Sequence, residues 1–341
     1  MVAKAWGSTD KTAEKKAVEE VFFQNDAVSL CLLINRRAKT MRVVDFRAGP
    51  SNAKRTTVMS LAQREGVDKV YTLVERDEVA TWTKLGFAKE GNIPGFYKRS
   101  DAFLLGCTVP AANAKTKTTK NVLPSAHVST KALRDRVSHT DARYAQAALE
   151  VDLEDVESAD VPDPAVARAE KTIVQAKKLA KELQDRPLPV VKITPIREAE
   201  TKKQVATALR AGRGLTAFEP FGRDVERRFF QLTARAGFEL VVSTEAQSCF
   251  GNTFLELLTS PRSENDRLAT ISAIRTMCDR LLAESTVSCF SLAPSDDIGL
   301  ATAFVFNGFR RTGILQNHVL VGGARRDAII WSRKLANPAD E

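Results

Sequence analysis

A glycine, an aromatic residue and a second glycine recur at matching places in the two halves of this 341-residue chain. The copies at 86–91 and 308–313 both read Gly-Phe, three residues, then Gly. In each copy we expect a helix to stop at the first glycine and a strand to begin at the aromatic. A strand and a helix are expected before each copy, and a further strand after it. A repeat of this length indicates two related domains.

A second correspondence lies upstream of each copy. Asp45 precedes Pro50 by five residues, and Glu256 precedes Pro261 by the same spacing. Each acid closes a strand-like run and is followed by a short polar loop and a helix. This order of elements resembles the GNAT (GCN5-related N-acetyltransferase) superfamily over roughly residues 24–108 and 187–335. The ending from Gly313 is similar to that of the bacterial β-lysine-type acetyltransferases.

The resemblance implies a mixed α/β (α+β) fold with two GNAT-like domains, each a mixed central sheet flanked by helices. We expect an N-terminal domain at 1–108, which is trimmed because it lacks the opening strand. A basic and acidic linker with a helix follows at 109–186, and the C-terminal domain occupies 187–341.

The apolar periodicity predicts the individual elements. Asp163 and Pro164 are expected to begin a helix that runs to about residue 184 and packs on a domain. Phe229 and Phe230 are interpreted as the apolar face of a basic helix. The predicted helices are 9–23, 54–65, 77–85, 197–211, 224–236, 265–284 and 296–306. The predicted strands include 27–35, 41–47, 69–74, 102–108, 189–194, 238–244, 250–258 and 286–291.

Composition narrows the class of protein. With 43% hydrophobic and 27% charged residues the chain is globular, and no run approaches the roughly 18–20 apolar residues of a membrane span. The start of the chain lacks the apolar run of a signal peptide, so we expect a cytoplasmic protein.

The five cysteines show no Cys-x-x-Cys spacing, which argues against a metal site. The net charge of +9 has no accompanying nucleic-acid motif, so nucleic acid is not the expected partner.

The family holds the pyrophosphate of acetyl-CoA at the start of its central helix, where backbone N–H groups and the helix dipole favour an anion. The matching residues in the C-terminal domain are Arg262, Ser263, Asn265 and Arg267. That segment has no glycine and adds acids, so a simply capped helix is the alternative interpretation. The matching residues in the N-terminal domain are Gly49, Ser51 and Asn52.

A general base must remove the proton of the attacking ammonium, since a lysine-like amine has a pKa of about 10.4. Glu256 is the candidate, and Asp45 occupies the equivalent position in the N-terminal domain. An exposed or helix-capping carboxylate is the alternative for both. Where the family carries a proton-donating tyrosine, this chain has Trp82 and Phe304. A backbone N–H within 258–260 is the expected oxyanion donor.

The sequence therefore predicts an acyl-CoA-dependent N-acyltransferase that transfers an acetyl group to a primary amine on a small molecule or a protein. The alternative is a non-catalytic GNAT-fold module that binds a protein partner. A homodimer is compatible with either hypothesis, because GNAT domains often pair through their sheets.

Overall fold

The computed structural model describes residues 18–24, 29–36, 38–45, 51–97, 100–110, 163–216, 227–247 and 251–336. Residues 111–162 of the expected linker and residues 9–17 of the first predicted helix lie outside this part of the chain. Among the described helices, none is both long enough and apolar enough to cross a bilayer.

The N-terminal half contains a hairpin, a helix and strands that return beside it. Its elements are β1 (Val18–Gln24), β2 (Ser29–Asn35), β3 (Thr40–Asp45), α1 (Asn52–Arg64), β4 (Lys69–Val74), α2 (Val79–Lys84), β5 (Ala88–Tyr97) and β6 (Ser100–Thr108).

The C-terminal half opens on a long helix, which Asp163 caps by accepting a hydrogen bond from the Ala165 N–H at 2.8 Å. Its helices are α3 (Pro164–Glu182), α4 (Glu198–Arg210), α5 (Arg267–Ala283) and α6 (Ile298–Phe306). Its strands are β7 (Lys192–Ile196), β8 (Leu215–Thr216), β9 (Arg227–Thr233), β10 (Glu239–Gln247), β11 (Asn252–Leu257), β12 (Ser288–Pro294), β13 (Arg310–Val321) and β14 (Ala324–Lys334).

One mixed sheet runs through both halves, in the order β1-β2-β3-β4-β6-β5-β13-β14-β12-β11-β10-β9-β7, with β8 beside β13. Among the described strands, each half has one parallel pair, β3 with β4 and β11 with β12, and antiparallel neighbours elsewhere. A helix connects the strands of each parallel pair, and a second helix follows. The connectivity of the N-terminal half is therefore repeated in the C-terminal half, and the mixed α/β fold is confirmed.

Two predicted helices are wrong. Residues 18–24 form β1, which pairs with β2 along its whole length instead of continuing a helix from residue 9. The segment predicted as a helix at 224–236 contains β9, which lies between β10 and β7. Phe230 and Leu232 are buried on one face of β9, so its apolar residues follow the strand period of two. The remaining predicted elements agree with the structure to within a few residues.

The glycine repeat performs the same structural task in both halves. Gly86 and Gly308 have φ of 82° and 76°, left-handed values that end α2 and α6 without steric cost. The aromatic ring after each glycine packs edge-on against the aromatic residue five positions before it: Phe87 on Trp82 at 4.9 Å, and Phe309 on Phe304 at 5.1 Å. All four rings are buried, so Trp82 and Phe304 serve the core.

The second glycines of the repeat meet each other where the two halves join. Gly91 of β5 pairs with Gly313 of β13. A Cβ on Gly313 would lie 2.4 Å from the Gly91 Cα and 2.6 Å from the Glu90 carbonyl oxygen. Only glycine permits this approach, and a β-bulge precedes each glycine, between Lys89 and Gly91 and between Arg311 and Gly313.

A buried ion pair of the N-terminal half lies beside the same junction. The Lys69 ammonium, whose side chain is 1% exposed, donates to Glu90 Oε1 at 2.9 Å and to Oε2 at 2.6 Å. It also donates to the Gln316 carbonyl of β13. Burial lowers the pKa of Lys69 and raises the pKa of Glu90. Beside this pair, Arg325 of β14 donates to the Ala38 and Lys39 carbonyl oxygens.

Helices α1 and α2 pack on one apolar face of the sheet in the N-terminal half. Helices α3, α5 and α6 pack on an apolar face of the sheet in the C-terminal half. The opposite face carries a cluster shared by both halves, in which Phe96 of β5 lies 6.1 Å from Phe290 of β12 between ring centroids. Helix α3 packs along α6 and buries Ala169, Ile173 and Ala176, as the sequence predicts.

Candidate functional site

The strands β11 and β12 separate part of the way along their length. The parallel register pairs residues 252–254 with 288–290 and ends at Phe254 and Phe290. Within the described residues no ladder pairing joins the remainder of β11 to the remainder of β12. The N-terminal half shows the same feature, since β3 and β4 pair only as far as Val43 and Thr72. Such a separation opens backbone groups between two strands at the end that leads into α5.

A cavity of about 790 Å³ lies where α5 and α6 begin, and we call it the α5 cavity. Helix α3 forms its third wall through Lys178 and Glu182. Its volume lies within the range typical of small-molecule sites. The loop before α5 and the start of α6 contribute Arg262, Ser263, Glu264, Arg267, Asp296 and Asp297, with Arg326 of β14 beside them.

The backbone donors before α5 are occupied by a carboxylate of the chain itself. Asp266 Oδ2 accepts from the Arg262 N–H at 2.9 Å and from the Ser263 N–H at 3.2 Å. The Ser263 side chain accepts in return from the Asp266 backbone, which completes a capping box. Asn265 is exposed within this turn. A ligand anion would have to displace Asp266 to reach these N–H groups.

The arginines of the α5 cavity are held by nearby acids. Arg262 lies 3.2 Å from Glu239, Arg267 lies 3.5 Å from Glu264, and Arg326 lies 2.7 Å from Asp296. Asp297 caps α6 by accepting from the Leu300 N–H, and burial raises the pKa of its carboxyl. In number, the four cations that line the cavity are balanced by four lining acids, Glu182, Glu264, Asp296 and Asp297.

Glu256 is buried at 2% exposure on the sheet face opposite α5. Its Oε2 accepts from Ser243 Oγ at 2.8 Å and from the Arg227 guanidinium. Ser243 lies directly across from it in the β10–β11 register. The alternative interpretation of Glu256 as an exposed carboxylate is wrong, because the structure places it in a buried ion pair.

The expected oxyanion donors are already engaged. The Leu258 N–H donates to the Val241 carbonyl at 2.9 Å, and the Ser260 N–H donates to the Arg213 carbonyl at 2.7 Å. The prediction of an oxyanion donor within 258–260 is therefore wrong for these two groups. The chain folds the loop after β11 back onto β10 and Arg213 instead of leaving it open.

The N-terminal candidates are more scattered. Asp45 is the last residue of β3, and Gly49 lies outside the described residues. The Ser51 side chain caps α1 by accepting from the Lys54 N–H at 3.4 Å, and Asn52 is exposed at the first helical position. The structure thus brings Arg262, Ser263 and Arg267 to one cavity but places Glu256 on the other side of the sheet.

Sequence reasoning missed three contributions. Lys178 reaches the α5 cavity from a helix far upstream, and no local pattern signals this. Asp296 and Asp297 belong to an Asp-Asp pair before an apolar helix, which is a recognisable capping signal. The sequence places Arg227 in a predicted helix, so it gives no sign of the ion pair with Glu256.

Comparison with solved structures identifies GNAT-family acetyltransferases as structural neighbours. The ribosomal-protein-S18-alanine N-acetyltransferase from Escherichia coli shares 14% identity, with a TM-score of 0.34 over 45% of this chain and 98% of its own. The spermidine N-acetyltransferase from Vibrio cholerae in complex with CoA and spermine shares 10% identity, with a TM-score of 0.35 over 42% and 95%. No family model matches the sequence, and a comparison with curated proteins gives no match.

Proposed function

We propose that the chain consists of two GNAT-like domains, at 1–108 and 187–341, and that the C-terminal domain is an acyl-CoA-dependent N-acyltransferase. The observation that carries the proposal is the separation of β11 from β12 beside the start of α5. It gives an extended thioester cofactor a path between the strands, with a cavity of about 790 Å³ at its outer end. The same connectivity in both halves supports the division into two domains.

In this proposal Arg262, Ser263 and Arg267 would hold the pyrophosphate of acetyl-CoA at the start of α5. Their charge and N–H groups suit an anion once Asp266 has moved away. The acceptor amine would attack the thioester carbonyl, forming the N–C bond as the C–S bond breaks and the thiolate leaves. Before the attack Glu256 would take one proton from the ammonium form of the acceptor, and the second proton that nitrogen loses as the amide forms would neutralise the leaving thiolate. Lysine-like amines are the first acceptors to test, because the chain end is similar to that of β-lysine-type enzymes.

We expect Glu256→Gln to lower kcat by about 100-fold or more, with the largest loss at lower pH, where the acceptor is most fully protonated. The exchange keeps the shape of the side chain and should leave the dissociation constant of acetyl-CoA unchanged. Steady-state kinetics across the pH range, with coenzyme A release as readout, measure this effect. Glu284→Gln, which alters an exposed pair with Arg228, is the matched control. Equal activity of wild type and Glu256→Gln at every pH removes Glu256 from the base role.

A second candidate function is a non-catalytic GNAT-fold module that binds a protein partner. The Asp266 carboxylate favours this candidate, because it already accepts from the Arg262 and Ser263 N–H groups that would bind the pyrophosphate. The absence of a hydroxyl at Trp82 and Phe304 also favours it. The two candidates differ in whether acetyl-CoA binds at all.

Calorimetric titration with acetyl-CoA, on wild type and Asp266→Asn, separates the two functions. If the transferase proposal is right, wild type binds and Asp266→Asn binds about tenfold more tightly, because a competing negative charge is removed. Glu264→Gln, at a side chain 91% exposed, controls for the charge change alone. Lack of binding by wild type and by Asp266→Asn would reject the transferase and favour the protein-binding module.

A further inference from the structure

A second cavity, of about 540 Å³, lies on the helix-covered side of the C-terminal half. It is bounded by the end of α3, the middle of α5 and the end of α6, and shares no lining residue with the α5 cavity. We call it the basic cavity, and its principal lining residues are Lys181, Arg186, Leu188, Arg275, Val305 and Phe306.

The charge of the basic cavity is of one sign. Lys181, Arg186 and Arg275 line it, and no carboxylate of the described residues does. None of these three cations forms an ion pair with an acid among the described residues. The α5 cavity differs, because its arginines are each matched by a nearby acid. Three unmatched cations around one concave surface repel each other, and an anion between them would relieve that repulsion.

A helix-end effect accounts for only one of the three cations. Lys181 lies in the last turn of α3, where a positive charge is favoured by the helix dipole. Arg275 lies in the middle of α5, and Arg186 lies beyond the end of α3. Neither position gains from a helix terminus, so the convergence of all three needs a different explanation.

Apart from Gln184, the remaining lining residues of the basic cavity are apolar. The guanidinium of Arg275 lies over the ring of Phe306, 5.3 Å from its centroid. Leu188, Val305 and Phe306 are partly buried and pack against the main core of the C-terminal half. Stacking on an aromatic ring orients the flat guanidinium and leaves its edge available for two parallel hydrogen bonds to an oxyanion.

We propose that the basic cavity binds a small organic phosphate with an apolar substituent. A phosphate dianion suits three cations better than a carboxylate does, since it brings more charge and more acceptor oxygens. The substituent would lie against Leu188, Val305 and Phe306. The volume is within the range of small-molecule sites. This binding is independent of acetyl-CoA and of transferase activity.

Calorimetric titration of the full chain with hexyl phosphate at low salt tests the proposal. We expect saturable binding in the submillimolar range, and about tenfold weaker binding of inorganic phosphate and of hexanoate. The double variant Lys181→Gln/Arg275→Gln should weaken hexyl phosphate binding about tenfold or more. Lys177→Gln/Arg210→Gln removes the same charge from exposed positions outside the cavity and should bind like wild type.

Three results would overturn the proposal. The first is no binding of hexyl phosphate up to millimolar concentration. The second is equal weakening by the cavity variant and the control variant, which would show a general charge effect. The third is loss of binding in Arg262→Gln, which would place the ligand in the α5 cavity. None of these results depends on whether the chain binds acetyl-CoA, so failure here and failure of the transferase proposal are distinguishable.

Discussion

Lys69→Met should lower the free energy of unfolding by about 3–5 kcal/mol, because it leaves the Glu90 carboxylate buried without its cation. It also removes the donor to the Gln316 carbonyl, so a contact between the two halves is lost. Native domains are stable by only about 5–15 kcal/mol, so the loss is a large share of the total. Urea denaturation followed by circular dichroism measures it.

The double variant Lys69→Met/Glu90→Leu is the control for this prediction. Removing both charges replaces a buried ion pair by apolar side chains, which is often close to neutral. We therefore expect the double variant to recover most of the stability that Lys69→Met loses. Equal destabilisation of the single and double variants would show that the ion pair itself is not the cause.

The pH dependence of Lys69→Met gives an independent readout. Burial raises the pKa of Glu90, and Lys69 is the charge that opposes this rise. Without Lys69 the pKa of Glu90 should rise further. A carboxyl whose folded pKa exceeds its unfolded pKa contributes stability at low pH that is lost as the pH rises through the folded value. The deficit of Lys69→Met should thus be smaller at about pH 5 than at about pH 8.

Gly313→Ala is expected to cost about 3 kcal/mol, because the new Cβ would lie 2.4 Å from the Gly91 Cα. The contact is with backbone, so no side chain can rotate away, and β5 and β13 must move apart. The two halves should then unfold separately. Trp82 and Trp331 lie in different cores. Fluorescence of two variants, which keep only Trp82 or only Trp331, therefore follows the unfolding of each half.

Gly299→Ala is the matched control for Gly313→Ala. Its new Cβ would lie 3.4 Å from Asp297 Oδ1, an ordinary contact, and it replaces a glycine inside helix α6. We expect a change within about 1 kcal/mol, in the stabilising direction. If Gly313→Ala behaves like Gly299→Ala, the close approach of β5 and β13 is not needed for stability.

The sequence predicted those parts of the fold that depend on local chemistry. The helix-ending glycines, the aromatic residues after them and the Asp163 cap all follow from backbone and capping preferences, and all are confirmed. The meeting of Gly91 with Gly313 does not follow from local chemistry. No local sequence pattern near either residue indicates that the two halves join at β5 and β13.

The candidate site was predicted less well, for a related reason. Residues 224–236 contain several arginines beside Phe229 and Phe230, which favours an amphipathic helix when only helical spacing is considered. Pairing with β10 and β7 outweighs that preference and turns the segment into a strand. Once Arg227 is on β9, its side chain reaches Glu256. One wrong element therefore concealed the main electrostatic partner of the proposed base.

The junction at Gly91 and Gly313 also has a consequence for how the chain folds. The N-terminal half is synthesised first, so β5 lies at the border of an incomplete sheet until β13 has been made. An uncovered border strand is a template for pairing with another molecule. The bulge before Gly91 interrupts the regular ladder and makes β5 a poor template. The same bulge that shapes the final junction would thus protect the nascent chain against self-association.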